Sequence, residues 1–264
     1  MSRWFAQEKY YNGNPSQREC QDWNYYIASC SCGKDSLAMT YRLIMEGKPL
    51  NEIVFYDTGM EFQAIYHNWE ILKAFAEKHG IKCTKLKPTC PFLYTMLEKP
   101  VNEGKPTEHK GYSWCGGCCR WGTTAKLKAL DEYCESKKAL CYVGIASDEK
   151  VRLRKPRKPY KLFPLDEWGM TEADCLDFCR QHGIDWKEGE VDLYDILDRV
   201  SCWCCANKNL WELWNIWHYL PEYWVRLKAL QMQNERPFKH DYTIFDLEIW
   251  FTGGFIPKHR RKVK

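Results

Sequence analysis

The cysteines offer the first chemistry. Fifteen occur in 264 residues, and they include two tight groups: Cys115, Cys118 and Cys119, then Cys202, Cys204 and Cys205. A thiolate centre needs four soft ligands converging on one point. Cys118-Cys119 and Cys202-x-x-Cys205 supply such a set for a soft-metal centre. Cys115-x-x-Cys118 with Cys202-x-x-Cys205 makes an equally good tetrahedral zinc site. A second chemistry lies in Ser31-Cys32-Gly33-Lys34-Asp35-Ser36. Small residues between a strand and a helix gather backbone N–H groups at the positive end of the helix dipole, which binds phosphate. Ser31 and Ser36 add hydroxyls, Lys34 adds a charge, and Gly33 is expected to adopt a turn conformation closed to bulkier residues. The two-glycine spacing of the Walker loop is missing.

The elements that must hold these residues are legible nearby. Residues 23–28 form an apolar run that reads as a buried strand. Leu37, Tyr41 and Ile44 recur at helical spacing just after the loop. Glu52–Tyr56 reads as a second strand, ending in Asp57-Thr58-Gly59. A helix with Phe62, Ile65, Tyr66, Trp69, Leu72 and Phe75 on one face follows. Ligands of open parallel sheets bind beyond the carboxyl ends of strands. Asp57 and Gly59 are therefore expected to face the loop across a crevice. Gly144 joins them at the end of a third strand, with Arg152 in the basic run that follows.

These segments resemble, in order, the motifs of the phosphoadenosine phosphosulfate (PAPS) reductase family within the adenine nucleotide α-hydrolase-like, or PP-loop, superfamily. The loop is similar to S-G-G-x-D-S, with Cys32 at the first glycine. Asp57-Thr58-Gly59 looks like the second motif. Gly144-Ile145 with Glu149 and Arg152 looks like the third, and Pro164-Leu165 with Trp168, Thr171 and Asp174 the fourth. The resemblance covers roughly residues 24–180. It implies an α/β, doubly wound, mostly parallel sheet, with an adenine nucleotide, PAPS or ATP with Mg²⁺, on Ser31, Gly33, Lys34, Asp35, Ser36, Asp57, Gly59, Gly144 and Arg152. The C-C…C-x-x-C arrangement resembles that of adenylylsulfate reductases and implies a 4Fe–4S cluster on Cys118, Cys119, Cys202 and Cys205. Arg120-Trp121-Gly122-Thr123 with Lys126 is similar to a reductase segment, placing Arg120 on phosphate or sulfate. Leu127 and Leu130 are read as the apolar face of the helix it opens.

The resemblance has one gap. Sulfonucleotide reductases carry a nucleophilic cysteine in an E-C-G-L-H-like tail, and no cysteine follows Cys205 here. Cys115 and Cys204, beside the cluster, are then candidates for an attacking or persulfide-carrying thiol, with Cys115 preferred for its glycine neighbours and expected to open toward the crevice. Asp35 also counts as catalytic, and Asp35 with Ser36 agrees better with ATP use. The main reading is a PAPS reductase-family enzyme of sulfur metabolism with a thioredoxin-like or other sulfur or electron donor. The alternative is an ATP-dependent adenylating sulfurtransferase acting on tRNA or DNA. A non-catalytic, zinc-stabilised nucleic-acid-binding protein is the third reading.

Composition bounds the rest. Net charge is only +4, so general polyanion binding is not expected. No signal peptide or membrane span is legible, which implies a cytoplasmic protein whose cysteines serve metal or redox chemistry. Cys20, Cys30, Cys32, Cys83, Cys90, Cys134, Cys141, Cys175 and Cys179 read as small buried hydrophobes. Residues 20–185 are expected to form the nucleotide domain, 186–250 a helical Cys- and Trp-rich extension, and 251–264 a basic, solvated tail. Leu210, Leu213, Trp214 and Trp217 read as a core stripe that Pro221 interrupts, and residues 99–112 as a mobile lid.

Overall fold

A computed structural model describes residues 22–117, 119–156 and 158–259. Cys20, Cys118, Arg157 and residues 260–264 lie outside the described residues. The chain runs β1 (Tyr25–Ser29), α1 (Lys34–Met45), β2 (Glu52–Tyr56), α2 (Gln63–Glu77), β3 (Lys82–Leu86), β4 (Pro100–Val101), β5 (His109–Lys110) and α3 (Ala125–Ser136). It continues with β6 (Ala139–Val143), α4 (Lys150–Leu153), β7 (Lys161–Leu162), α5 (Pro164–Glu167), α6 (Glu172–Gln181), β8 (Lys187–Glu188) and β9 (Val191–Asp192). The helices α7 (Leu193–Ile196), α8 (Leu210–Tyr219), α9 (Pro221–Met232) and α10 (Ile244–Thr252) complete it. Two compact units result. One joins residues up to 56 with 65–86 and 127–185; the other joins 57–64, 87–126 and the residues from 186.

The first unit is built on a five-stranded parallel sheet in the order β3-β2-β1-β6-β7. Its central strands are nearly continuous apolar runs. All of β2 is buried and so is most of β6, as in parallel sheets covered on both faces. Strand order reverses between β1 and β6, so the residues after those two strands flank the switch point where such sheets bind ligands. Leu37, Tyr41 and Ile44 bury one side of α1, and Tyr41 stacks on Phe75 of α2 at 4.9 Å. α6 starts at a capping box, Thr171 with Asp174, and buries Cys175 and Cys179 against α1.

The second unit holds short strand pairs, two π-helical turns and α7 to α10. Asn209 with Glu212 boxes the start of α8, Thr243 with Asp246 that of α10, and Pro221 takes the first position of α9. Trp224 is buried and Trp217 packs on Phe251 at 5.7 Å. Two expectations change here, and the stretch read as a lid has strand structure of its own. Trp214 and Trp217 are only half-buried, because Leu213 and Ile216 take the core side of α8. Leu127 is exposed, and α3 buries Leu130 and Cys134 instead. The stretch from 99 to 112 is a hairpin, Val101 pairing with His109 in antiparallel register.

Candidate functional site

In the first unit the loop after β1 is shaped by Cys32, not Gly33. Cys32 sits at φ +57°, while Gly33 caps α1 at φ −80° and ψ 165°, open to any residue. The left-handed position thus falls where the family resemblance places its first glycine. A non-glycine residue is strained there by roughly 1–2 kcal/mol. Ser36 locks the turn. Its hydroxyl accepts the Ser31 N–H at 3.1 Å, donates to the Gly33 carbonyl at 3.0 Å, and meets the Ser31 hydroxyl at 3.1 Å. Gly144 packs tightly on the loop, since a Cβ there would lie 3.0 Å from Ser36 Cα and 3.1 Å from its nitrogen and the backbone would have to give by a few tenths of an ångström.

Carboxylates crowd this loop. Oxygens of Asp35, Glu149 and Glu172 all lie within 4.8 Å of one another. Lys34 holds Asp35 at 2.9 Å and Glu172 at 3.8 Å. Arg152 holds both Glu149 oxygens, at 2.6 and 2.7 Å. Burial pushes the Asp35 carboxyl above its ordinary range; Lys34 opposes this and the two glutamates add to it. Beneath the loop, Cys30 and Cys32 sulfurs are 4.0 Å apart. Burial pushes the Cys30 thiol up, but hydrogen bonds with Cys32, Ser36 and Thr40 outweigh it and bring it down to about 7.

In the second unit the two cysteine segments are tied together. Gly117 N–H donates to Asn207 Oδ1 at 2.7 Å, and Asn207 Nδ2 donates back to the Gly117 carbonyl at 2.8 Å. Cys119 caps a π-helical turn (Arg120–Thr124), its sulfur accepting the Gly122 N–H at 3.2 Å. Cys202 and Cys205 share one turn, closed by a Cys205 N–H to Cys202 carbonyl bond of 3.1 Å. Asp57 caps its own turn through the Gly59 N–H, and Thr58 and Glu61 each approach the Cys202 sulfur at 3.6 Å. Burial, then the Glu61 charge, pushes the Cys202 thiol well up. Cys204 is buried and pushed up by the same burial, with Cys205 and Glu61 adding. Cys115 instead lines a cavity of about 380 Å³ with His109, Tyr112, Trp114, Arg120 and Arg236. The Arg120 guanidinium stands 4.8 Å from the Tyr112 ring centroid. The donors present, thiols from two segments bridged by Gly117 and Asn207, fit a thiolate-bound metal centre.

No protein-family model matches the chain. An uncharacterized protein of Methanocaldococcus jannaschii is 28% identical over 252 residues, 89% of this chain and 46% of that protein. The chain thus spans about half the length of that relative. The adenosine 5′-phosphosulfate reductase of Staphylococcus haemolyticus is 25% identical over 199 residues, 70% of this chain and 75% of the enzyme. Among solved structures, the tRNA thiolase NcsA of Methanococcus maripaludis with its 4Fe–4S cluster superposes with a TM-score of 0.42 and 14% identity, covering 94% of this chain and 82% of that one. The likeness to the reductase supports the PAPS reductase/PP-loop superfamily.

The structure brings Ser31, Gly33, Lys34, Asp35, Ser36 and Gly144 together at the switch point, with Arg152 reaching them through Glu149. Cys115, Cys119, Arg120, Cys202, Cys204 and Cys205, with Asp57 and Gly59, belong to the other unit, and among the described residues no three of these thiols lie within 4.8 Å of one another. Sequence reasoning passed over Glu172, Glu61 and Lys208. Glu172 is marked only by following the capping Thr171, and Lys208 only by standing in a cysteine-rich loop. Among the described residues no helix is long and apolar enough to cross a membrane.

Proposed function

We propose that this PP-loop protein binds ATP with a divalent cation, adenylates an acceptor, and serves the delivery of sulfur to it. The observation that carries this reading is the convergence of Asp35, Glu149 and Glu172 at the phosphate loop. A sulfonucleotide alone would bring only negative charge to three carboxylates. ATP arrives with Mg²⁺, a hard cation that takes oxygen ligands and bridges carboxylate to phosphate. Asp35, Glu149 and Glu172 would hold that ion, which would neutralise charge on the leaving pyrophosphate. Lys34 and the backbone amides at the start of α1 orient the phosphates. Arg152 positions Glu149.

The thiolate centre in this reading is a 4Fe–4S cluster on Cys118, Cys119, Cys202 and Cys205; with a thiolate on every iron it would supply charge and electrons rather than an open metal site, and the sulfur would be carried by a thiol beside it. Cys115 is the better candidate for a sulfur-carrying thiol, because it borders a cavity while Cys204 is buried with its thiol pushed up. A nucleic-acid acceptor suits that cavity, whose two guanidiniums and two aromatic rings match phosphate and base.

A second reading, a sulfonucleotide reductase, is favoured by the alignment with the staphylococcal enzyme. One experiment separates the two. Anaerobically purified protein is given ATP, adenylylsulfate or PAPS, with and without Mg²⁺ and bulk tRNA or DNA. AMP and pyrophosphate formed from ATP only with Mg²⁺ is the expected result. Sulfite released from a sulfonucleotide without a divalent cation would replace this reading with the second.

A further inference from the structure

Lys208 is only 2% exposed. Its ammonium group donates to Ser201 Oγ at 3.2 Å and stands 5.4 Å from the Phe62 ring centroid. Among the described residues no carboxylate forms an ion pair with it. A second ammonium stands behind it: Lys239 Nζ donates to the carbonyls of Ala206 and Lys208. Burial pulls Lys239 down from the usual lysine range, opposed by Cys205 and by Glu212. Glu212 is itself buried and spends one carboxylate oxygen on the Asn209 N–H at 2.8 Å. Two ammonium groups thus converge on the loop from Cys202 to Asn209 with carbonyls, a hydroxyl and the Glu212 carboxylate for company, one negative charge against two positive. A charge taken from water is expensive unless it is paired.

The cysteines of the same loop supply the missing anion. Lys208 N–H bonds to the Cys205 carbonyl at 3.1 Å, so the lysine leaves the turn that carries both ligands. Four thiolates around a doubly positive metal ion or cluster core leave a net charge of −2. We propose that Lys208, backed by Lys239, is the built-in counter-charge of an anionic thiolate–metal centre on Cys202 and Cys205. The loop is electrostatically complete only when that centre is loaded. This rests on the metal-centre part of the proposed function. It adds residues that no ligand motif contains and that act through the thiolates as positioning residues.

The test is Lys208→Met, which keeps the buried stem and removes the charge. Protein is purified anaerobically and iron, sulfide and zinc are counted. Metal loss is then followed under excess chelator, and melting is recorded before and after stripping. The expected result has opposite signs in the two states. Loaded Lys208→Met should lose metal at least about tenfold faster than wild type, and an iron–sulfur centre should become harder to reduce. Lys208→Arg should restore both. Stripped Lys208→Met should melt above stripped wild type, because the uncompensated charge is gone. If the loaded variant keeps wild-type metal retention, or the stripped variant melts at or below wild type, the inference is overturned. If Lys208→Met does not fold, Lys239→Met is judged by the same two signs. Wild-type protein without metal would instead remove the centre itself, a separate failure of the proposed function.

Discussion

Glu52 and the Asp35 cluster both place acidic side chains at the parallel sheet, one carboxylate in the first case and three in the second, and the protein surrounds them differently. Glu52 starts β2 with no exposed side chain. Its single carboxylate takes hydrogen bonds from Thr84, Tyr25 at 3.0 Å and Tyr133 at 2.8 Å, and an ion pair from Lys82 at 3.0 Å. At the other end of the strands, Asp35, Glu149 and Glu172 crowd within 4.8 Å with Lys34 and Arg152 as their cations. Burial pushes Glu52 up, but its donors outweigh that and hold it below the carboxylate range. Asp35 is held above it. A buried charge with every lone pair answered is part of the scaffold. A crowd of like charges that the fold leaves unbalanced is built for something that binds, and Lys208 repeats that lesson with the opposite sign.

The sharpest way to break the comparison is at Asp35. Asp35→Asn should lower Mg²⁺-dependent conversion of ATP to AMP by about 100-fold or more, as for other losses of charge-stabilising contacts. The same variant should melt no lower than wild type at pH 7. Its folded pKa lies above the unfolded value, so ionised Asp35 opposes folding, and stability falls as pH rises through that raised pKa. A large drop in melting temperature with full turnover would reverse the roles assigned to the two ends of the sheet.

Glu52→Gln should do the converse. Charge-assisted hydrogen bonds contribute roughly 1.5–3 kcal/mol, and a loss of that size is expected in denaturant unfolding, with turnover within about twofold of wild type. Because the folded pKa of Glu52 is depressed, its contribution is complete above the unfolded value of about 4.3. It is lost as pH falls through the folded pKa. The stability gap between wild type and Glu52→Gln should therefore close in acid.

Two smaller effects sharpen the account of the loop. Gly144→Ala puts a methyl group 3.0 Å from Ser36 Cα. Backbone cannot move aside as a side chain can, so an overpacking penalty of about 1–3 kcal/mol is expected. Part of it should appear as weaker nucleotide affinity, on the order of tenfold by titration. Cys32→Gly removes the strain at φ +57° but adds unfolded-chain entropy of about 0.4–1 kcal/mol and deletes a buried thiol. Its net effect should stay within about 1 kcal/mol. Cys32→Ala keeps the strain and loses the sulfur, so it should be the less stable of the two, and the reverse order would show that φ is not what matters there.

Much of the loop was legible because its signals are local. A strand, six small or polar residues and an amphipathic helix follow one another in the chain, and the structure reproduces that order in β1, the loop and α1. The choice of strained residue was misread. Glycine permits a left-handed φ but does not require it, and the position that needs one is set by how the loop closes on Ser36. The Trp stripe of α8 was misread for a similar reason. Spacing names a face, but Leu213 and Ile216 occupy the side that α9 and α10 cover.

The sequence by itself determined which chemistries this protein carries, because ligand type, phosphate-loop composition and helix caps depend on residues close in the chain. Only the tertiary structure decided which of these groups meet. Glu149 and Glu172 join Asp35 because the order β2-β1-β6 brings the segments after β1 and β6 to one switch point. Gly117 and Asn207 draw the two cysteine segments together across many intervening residues. Lys208 reads as one more surface lysine until packing against Phe62 removes it from water. Burial and charge balance are properties of what surrounds a side chain in space, and the chain order does not contain them.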